Sequence, residues 1–409
     1  MPVRYIPPTP EQLLPVPGVT LGTAAAKLKK WQRDDVLLAV FDPGTSAAGV
    51  FTQNRFAAAP VIVCRRYLAR AADIRALIVN AGNANAGTGA SGIADAEATC
   101  AAVASMLRCA VHEVLPFSTG VIMEPLPVAK IVGALPAARA ALAPDHWFAA
   151  VSAIMTTDTV PKGASRHITV DGFPITVTGI AKGSGMIHPD MATMLSFVAT
   201  DAPIATTVLS TLTREIADVS FNCATVDGDT STNDSFVIAA TGRARMTAIR
   251  HADDPRLTPV RAALREVAIE LAQAIVRDGE GATKFITIRI EGGRDAAECR
   301  GIALRIAHSP LVKTAFFASD PNLGRIVCAI GNAAVPDLDP SRVSFWLDYV
   351  RVVENGARAV SYTEQDGQRV MKNDEITIRV TLGRGDAAAR VWTCDFSPEY
   401  VDINASYRT

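Results

Sequence analysis

The sequence has little of what marks most functional classes. Its seven cysteines, at positions 64, 100, 109, 223, 299, 328 and 394, show no Cys-x-x-Cys spacing. An odd, scattered set of this kind fits reduced thiols inside a core better than a disulfide framework or a zinc site. The six histidines are equally dispersed, so no metal is implied. No stretch reaches the roughly 18 uninterrupted apolar residues of a membrane span. Met1 to Pro8 lacks the apolar core of a signal peptide, and the expected compartment is the cytoplasm. With 40 basic and 41 acidic residues the formal net charge is -1. A nucleic-acid footprint needs a concentrated basic surface, and the short Lys27 to Lys30 patch reads as a solvated face.

Two loops resemble ligand-binding motifs only superficially. Asn80 to Gly92 is rich in small residues, but it lacks the Lys-Ser or Lys-Thr ending of a P-loop and the Gly-x-Gly-x-x-Gly order. Bare backbone there points to close approach, either to a packed strand or to a substrate pocket. Asp227 to Asp234 has the look of a calcium loop without its bidentate glutamate at position twelve or its flanking helices. It reads as a structural or pocket-lining turn.

What is present is an ordinary globular balance: 409 residues, 49% apolar and 20% charged, enough for two or three domains with a sizeable core. Val36 to Phe41, Ala47 to Phe51, Val61 to Cys64 and Arg75 to Val79 read as strands between tight turns. Helices are expected over Ala94 to Leu107, Pro127 to Leu142, Trp147 to Met155 and Ala205 to Val219, and most clearly over Asp254 to Arg277, where Leu264, Val267, Leu271 and Ile275 share one face. A hairpin is expected around Asp171-Gly172. Asn222 to Val226 and Phe236 to Ala240 read as strands, as does Lys284 to Ile290. After Gly292 a second pattern follows: a helix over Asp295 to His308, a strand or helix near Val327 to Ile330, a strand at Ser344 to Leu347, and a strand pair at Glu375 to Thr381 and Ala389 to Cys394. The fold class expected is α/β (α+β), with a catalytic domain over 1–285 and a smaller α+β domain over 286–409.

The chain is organised around Gly179 to Asp201. Lys182 sits among small residues, Gly183, Gly185 and Pro189 make a loop, and Met191 to Ala199 reads as a buried strand. Thr193 stands at the junction. A hydroxyl held rigidly after a tight loop suits a nucleophile, although a strand threonine commonly just packs its methyl group. Earlier, Val114 to Ser118 delivers Thr119 and Gly120 to a strand end. A hydroxyl and a following backbone N–H can converge on one point, as an oxyanion hole requires, or simply make a turn.

Lys182 to Pro189 followed by Met191 to Leu195 resembles the signature of the ornithine acetyltransferase family, the bifunctional glutamate N-acetyltransferases of arginine biosynthesis. Further blocks are similar to that family: Ala47 to Arg55, Val79 to Gly89, Ser118 to Met123, Met155 to Thr159, Asp229 to Asp234, Gly279 to Phe285 and Ser319 to Asn322. Several in one order are specific where one alone is weak. Trp31 to Asp35 and Arg243 to Leu257 match least, and no role is carried over to them.

The resemblance implies a layered mixed-sheet fold of the ornithine acetyltransferase/aminopeptidase type. It implies self-cleavage between Ala192 and Thr193 into an α fragment, 1–192, and a β fragment from 193. The fragments are expected to associate as a heterotetramer of two α and two β. Thr193 is then the nucleophile, Thr119 and Gly120 form the oxyanion hole, and Thr156, Lys182, Thr193, Glu280, Asn404 and Thr409 bind substrate, the C-terminal tail returning to the active site. The expected reaction moves an acetyl group from N2-acetyl-L-ornithine to L-glutamate through acetyl-Thr193. No cofactor, metal, nucleic acid or membrane partner is expected. Alternatives are a bifunctional enzyme that also takes acetyl-CoA as donor substrate, a related self-processing amidohydrolase, and an unprocessed binding protein.

Overall fold

A computed structural model of the chain describes residues 2–70, 73–188 and 194–405. The chain divides into a larger unit, Ile6–Asn222 with Asp229–Ile275, and a smaller one, Val276–Thr409 with Met1–Tyr5 and Cys223–Gly228. Three mixed sheets and the helices packed on them make the fold class α/β.

In the larger unit the chain forms β1 (Val19–Ala24), β2 (Val36–Phe41), β3 (Ser46–Phe51), α1 (Ala59–Leu68), β4 (Ala76–Asn83), α2 (Gly89–Leu107), β5 (Val114–Val121), α3 (Val128–Ala140) and α4 (Trp147–Ile154). It continues with β6 (Lys162–Val170), β7 (Phe173–Lys182), β8 (Leu195–Thr200), α5 (Thr206–Val219), β9 (Ser235–Ala240) and α6 (Leu257–Arg277), whose last residues belong to the smaller unit. One sheet has the order β1-β2-β4-β5, the other β3-β9-β8-β7-β6. β4 is buried at all eight positions, as its unbroken small and apolar run requires when both faces are covered.

The two sheets share a core in which Leu37, Ile78 and Phe117 join Ile180, Phe197 and Val237. Trp147 of α4 stacks on Phe197 of β8 with ring centroids 5.5 Å apart. Burial of each such side chain contributes about 1.5–3 kcal/mol. On the other face of β7, a side chain at Gly179 would stand 3.0 Å from Val267 and 3.1 Å from Leu271 of α6. The absent Cβ at Gly179 thus lets the apolar face of α6 lie directly on the strand, whose C-terminal residue is Lys182.

The smaller unit follows with β10 (Phe285–Gly293), α7 (Ala296–Ala307), α8 (Pro310–Phe317), α9 (Leu323–Gly331), β11 (Ser344–Leu347), β12 (Val350–Glu354), β13 (Ala357–Arg358), α10 (Glu364–Met371), β14 (Glu375–Thr381), β15 (Ala387–Cys394) and α11 (Pro398–Ala405). Its sheet has the order β13-β12-β11-β14-β10-β15. Ile302 and Ile306 of α7 pack with Ile286, Ile288 and Ile290 of β10 in its core.

Three expectations are corrected. Val61 to Cys64 lies inside α1, where Pro60 stands in the first turn and Val61, Val63 and Cys64 are buried; packing overrides the strand preference of β-branched residues. Asn222 to Val226 is a short 3-10 turn, Phe221–Cys223, with only an isolated bridge from Ala224 to Trp392. The strands at 375–381 and 387–394 are not partners: β10 lies between them, parallel to β14 and antiparallel to β15. Two cysteines also differ from the buried pattern, since Cys109 is half-buried and Cys328 exposed, although all seven are free thiols.

Candidate active site

The site is built at the ends of β5 and β7. β4 and β5 run parallel with Gly82 opposite Gly120. Gly120 has φ +132, and a Cβ there would fall 2.2 Å from the Gly82 carbonyl carbon. Only glycine can occupy this position, and the small-residue segment after Asn80 therefore serves close strand packing. Thr119, immediately before it, is buried.

Lys182 closes β7. It is 3% exposed, and its Nζ donates to Thr119 Oγ1 at 3.1 Å and to Thr156 Oγ1 at 2.7 Å. A lysine reading as a loop residue in sequence is thus a buried cation joining two hydroxyls. Because Lys182 donates to the Thr119 oxygen, the Thr119 hydroxyl proton points elsewhere and is available to an acceptor.

A second buried pair fixes this cluster. Asp158 Oδ1 accepts from Lys162 Nζ at 2.6 Å and from Gly183 N–H at 2.7 Å, while its Oδ2 accepts from Thr156 N–H at 3.0 Å. Burial opposes ionisation of Asp158, but the Lys162 and Lys182 ammonium groups and the Gly183 N–H outweigh it and hold the carboxyl well below the usual carboxylate range. Thr157 and Ser184 join the same two segments through their hydroxyls at 2.7 Å.

The strand register ties β8 to the cluster. Lys182 is the partner of Leu195, which is two residues beyond Thr193 in sequence. The Met194 N–H donates to Asp234 Oδ1 at 3.1 Å. Asp234 is fully buried and its Oδ2 has no hydrogen-bond partner among the described residues. Burial pushes its pKa well above the carboxylate range; the Thr52 and Ser231 hydroxyls, the Met194 N–H and the charge of Lys182 offset this only in part. Its neighbour Asn233 donates from Nδ2 to Ala84 O at 2.6 Å and to Ser118 O at 2.8 Å.

Known proteins provide the comparison that this geometry calls for. The model of the ArgJ family matches residues 20–409. The chain belongs to the ArgJ family. As an ArgJ-family chain it is an acetyltransferase of arginine biosynthesis. Among solved structures, it is similar to the arginine biosynthesis bifunctional protein ArgJ from Bacillus halodurans, with 34% identity over 52% of this chain and 98% of that one and a TM-score of 0.49. It is also similar to the ornithine acetyltransferase from Mycobacterium tuberculosis, solved with ornithine, at 34% identity over 44% of this chain and 94% of that one, TM-score 0.38. The aminopeptidase from Ochrobactrum anthropi matches at 12% identity over 68% of this chain and 89% of that one, TM-score 0.41.

Of the residues that the sequence singled out in this ArgJ-family chain, the structure gathers Thr119, Thr156 and Lys182, with Gly120 adjacent on β5. Glu280 and Asn404 meet in the smaller unit, Asn404 Nδ2 donating to Glu280 Oε2 at 2.8 Å, and Glu280 is buried. Ala192, Thr193 and Thr409 lie outside the described residues. Sequence reasoning gave no role to Asp158, Lys162, Asn233 or Asp234. Asp158, Asn233 and Asp234 stand inside recognisable blocks, but nothing in their spacing distinguishes an organising buried carboxyl from a turn residue.

Proposed function

We propose that this chain cleaves itself between Ala192 and Thr193 and then transfers acetyl groups from N2-acetyl-L-ornithine to L-glutamate. The observation that carries the reading is the buried Lys182–Thr119–Thr156 cluster, standing opposite Leu195 in the strand that starts just after Thr193. In self-cleavage the Thr193 hydroxyl adds to the Ala192 carbonyl and the C–N bond breaks, leaving an ester. Water then hydrolyses the ester and leaves Thr193 with a free α-amine. The reference pKa of such an amine is about 7.7–8.0, so near neutrality it can accept the hydroxyl proton and serve as the nucleophile's own base.

In the transfer reaction Thr193 attacks the acetyl carbonyl of N-acetylornithine. The tetrahedral oxyanion takes hydrogen bonds from the Thr119 hydroxyl and the Gly120 N–H, ornithine departs with the proton held by the amine, and acetyl-Thr193 remains. The amine of glutamate then attacks this ester and N-acetylglutamate leaves. The 3.1 Å bond from Lys182 to Thr119 favours a role for Lys182 in supporting the oxyanion region over one in holding the substrate α-carboxylate. Thr156, Asn404 and Thr409 are assigned to substrate, and Glu280 to the ornithine side-chain ammonium. The proposed assembly is two α (1–192) and two β (193–409) fragments in the cytoplasm.

The test is an exchange assay with acetyl-labelled N-acetylornithine. Label appearing in N-acetylglutamate without acetyl-CoA supports the reading. Acetate released without dependence on glutamate would favour an amidohydrolase instead. Acetylation of glutamate by acetyl-CoA alone would establish the additional amino-acid N-acetyltransferase activity.

A further inference from the structure

One dipeptide holds both sides of the site described above. Asn233 donates its two Nδ2 protons to Ser118 O at 2.8 Å and Ala84 O at 2.6 Å. Ser118 immediately precedes Thr119, and its hydroxyl is itself fixed to Asn80 Oδ1 at 2.6 Å. The next residue, Asp234, accepts the Met194 N–H at 3.1 Å, one residue beyond Thr193. The grip on Met194 is two-sided, since the Met194 carbonyl accepts from Ser235 N–H at 3.0 Å.

We propose that Asn233–Asp234 is the positioning device that sets the spacing between the oxyanion strand and the residue that follows the nucleophile. This rests on the reading of Thr193 and Thr119 given under Proposed function and goes beyond it by naming the groups that align them. The dipeptide is itself rigidly held. Asn233 Oδ1 accepts from Thr232 Oγ1 at 2.6 Å, Asn233 N–H donates to Ser231 Oγ at 3.0 Å, and Thr52 N–H donates to the Asp234 carbonyl at 3.0 Å. Both side chains are more than nine-tenths buried. Reaction between groups on two strands depends on sub-ångström alignment, so a buried clamp that touches both strands acts on rate rather than on substrate affinity.

Asp234 needs only an acceptor oxygen for this task. An asparagine amide supplies the same Oδ1 acceptor to the Met194 N–H in nearly the same shape, and the burial that pushes the Asp234 pKa up works against its charged form. The experiment follows cleavage of freshly translated full-length chain by denatured mass spectrometry, with melting curves for every variant. Asp234→Ala and Asn233→Ala are expected to slow cleavage about tenfold or more, and Asp234→Asn to recover most of the rate. In the fraction that matures, kcat for acetyl exchange falls while KM for both substrates stays put. Should Asp234→Ala fail to fold, Asp234→Glu replaces it, moving the acceptor by one methylene; slow cleavage is again expected.

Alanine or glutamate variants that melt like the wild type and cleave at its rate overturn the inference while leaving the proposed function standing. So does an Asp234→Asn chain as slow as Asp234→Ala, because the acceptor would then not be what matters. A wild-type chain that never cleaves removes the proposed function and this inference together.

Discussion

Asp158 and Lys162 form an ion pair of 2.6 Å with both side chains wholly out of water. Attraction in such a setting barely offsets the desolvation of two charges, so the pair is weak evidence of stability in itself. Its significance is what else Asp158 holds. The same carboxylate takes the N–H groups of Thr156, whose hydroxyl Lys182 touches, and of Gly183, the residue after Lys182.

Breaking that pair strands a buried charge. Lys162→Met should destabilise the protein by about 3–5 kcal/mol in denaturant titrations. Adding Asp158→Leu should return only part of the loss, because the Thr156 and Gly183 amides then lack an acceptor. A single-variant loss below about 1 kcal/mol would show that the pair is dispensable.

Asp158 and Asp234 give stability opposite pH dependences. The folded state lowers the pKa of Asp158, so its contribution is present above the unfolded carboxylate value of about 3.9 and fades as pH falls through the folded value. Asp234 is raised: the native state binds more protons than the unfolded one above about 3.9, and stability falls as pH rises from there. Asp234→Asn removes this dependence. The melting midpoint of the asparagine variant relative to the wild type should therefore increase from pH 5 to pH 8. A difference that is flat or reversed contradicts an Asp234 whose pKa burial raises.

Thr119 should matter to the barrier more than to binding. Loss of one oxyanion donor typically costs about 10²–10³ in rate, and Thr119→Ala should lower kcat for acetyl exchange by that range with little change in KM. Thr119→Ser keeps the hydroxyl that Lys182 touches and should restore most of it. A KM effect with intact kcat would move Thr119 from the oxyanion to the substrate.

Glu280 offers a test of discrimination. Glu280→Gln keeps the shape that meets Asn404 but loses the charge that would pair with an ammonium. KM for N-acetylornithine should rise more than KM for glutamate. Equal effects on both would refute the assignment.

Much of this architecture was legible in the sequence because it is written locally. β2 and β11 carry the limits expected of them, and α6 announces itself through its apolar face. What failed depends on distant partners. Val61 to Cys64 looks like a strand until α1 is packed, and the outer strands of the 375–394 region look paired until β10 enters between them. At the site, Thr119, Thr156 and Lys182 were found through family blocks, but their contact could not be read from positions up to 63 residues apart. Lys162 lies four residues after Asp158, yet Pro161 intervenes and no helix is present to give that spacing meaning. Asp234 sits in a run of turn residues, and only the fold reveals that its carboxyl is buried against Met194.

The central claim is that Thr193 becomes an N-terminal nucleophile. Denatured mass spectra of freshly purified wild type and Thr193→Ala test it most directly. The account predicts two wild-type fragments that meet between Ala192 and Thr193, beside an intact variant. A single uncut chain in both would remove the free amine on which the chemistry depends and would contradict the account.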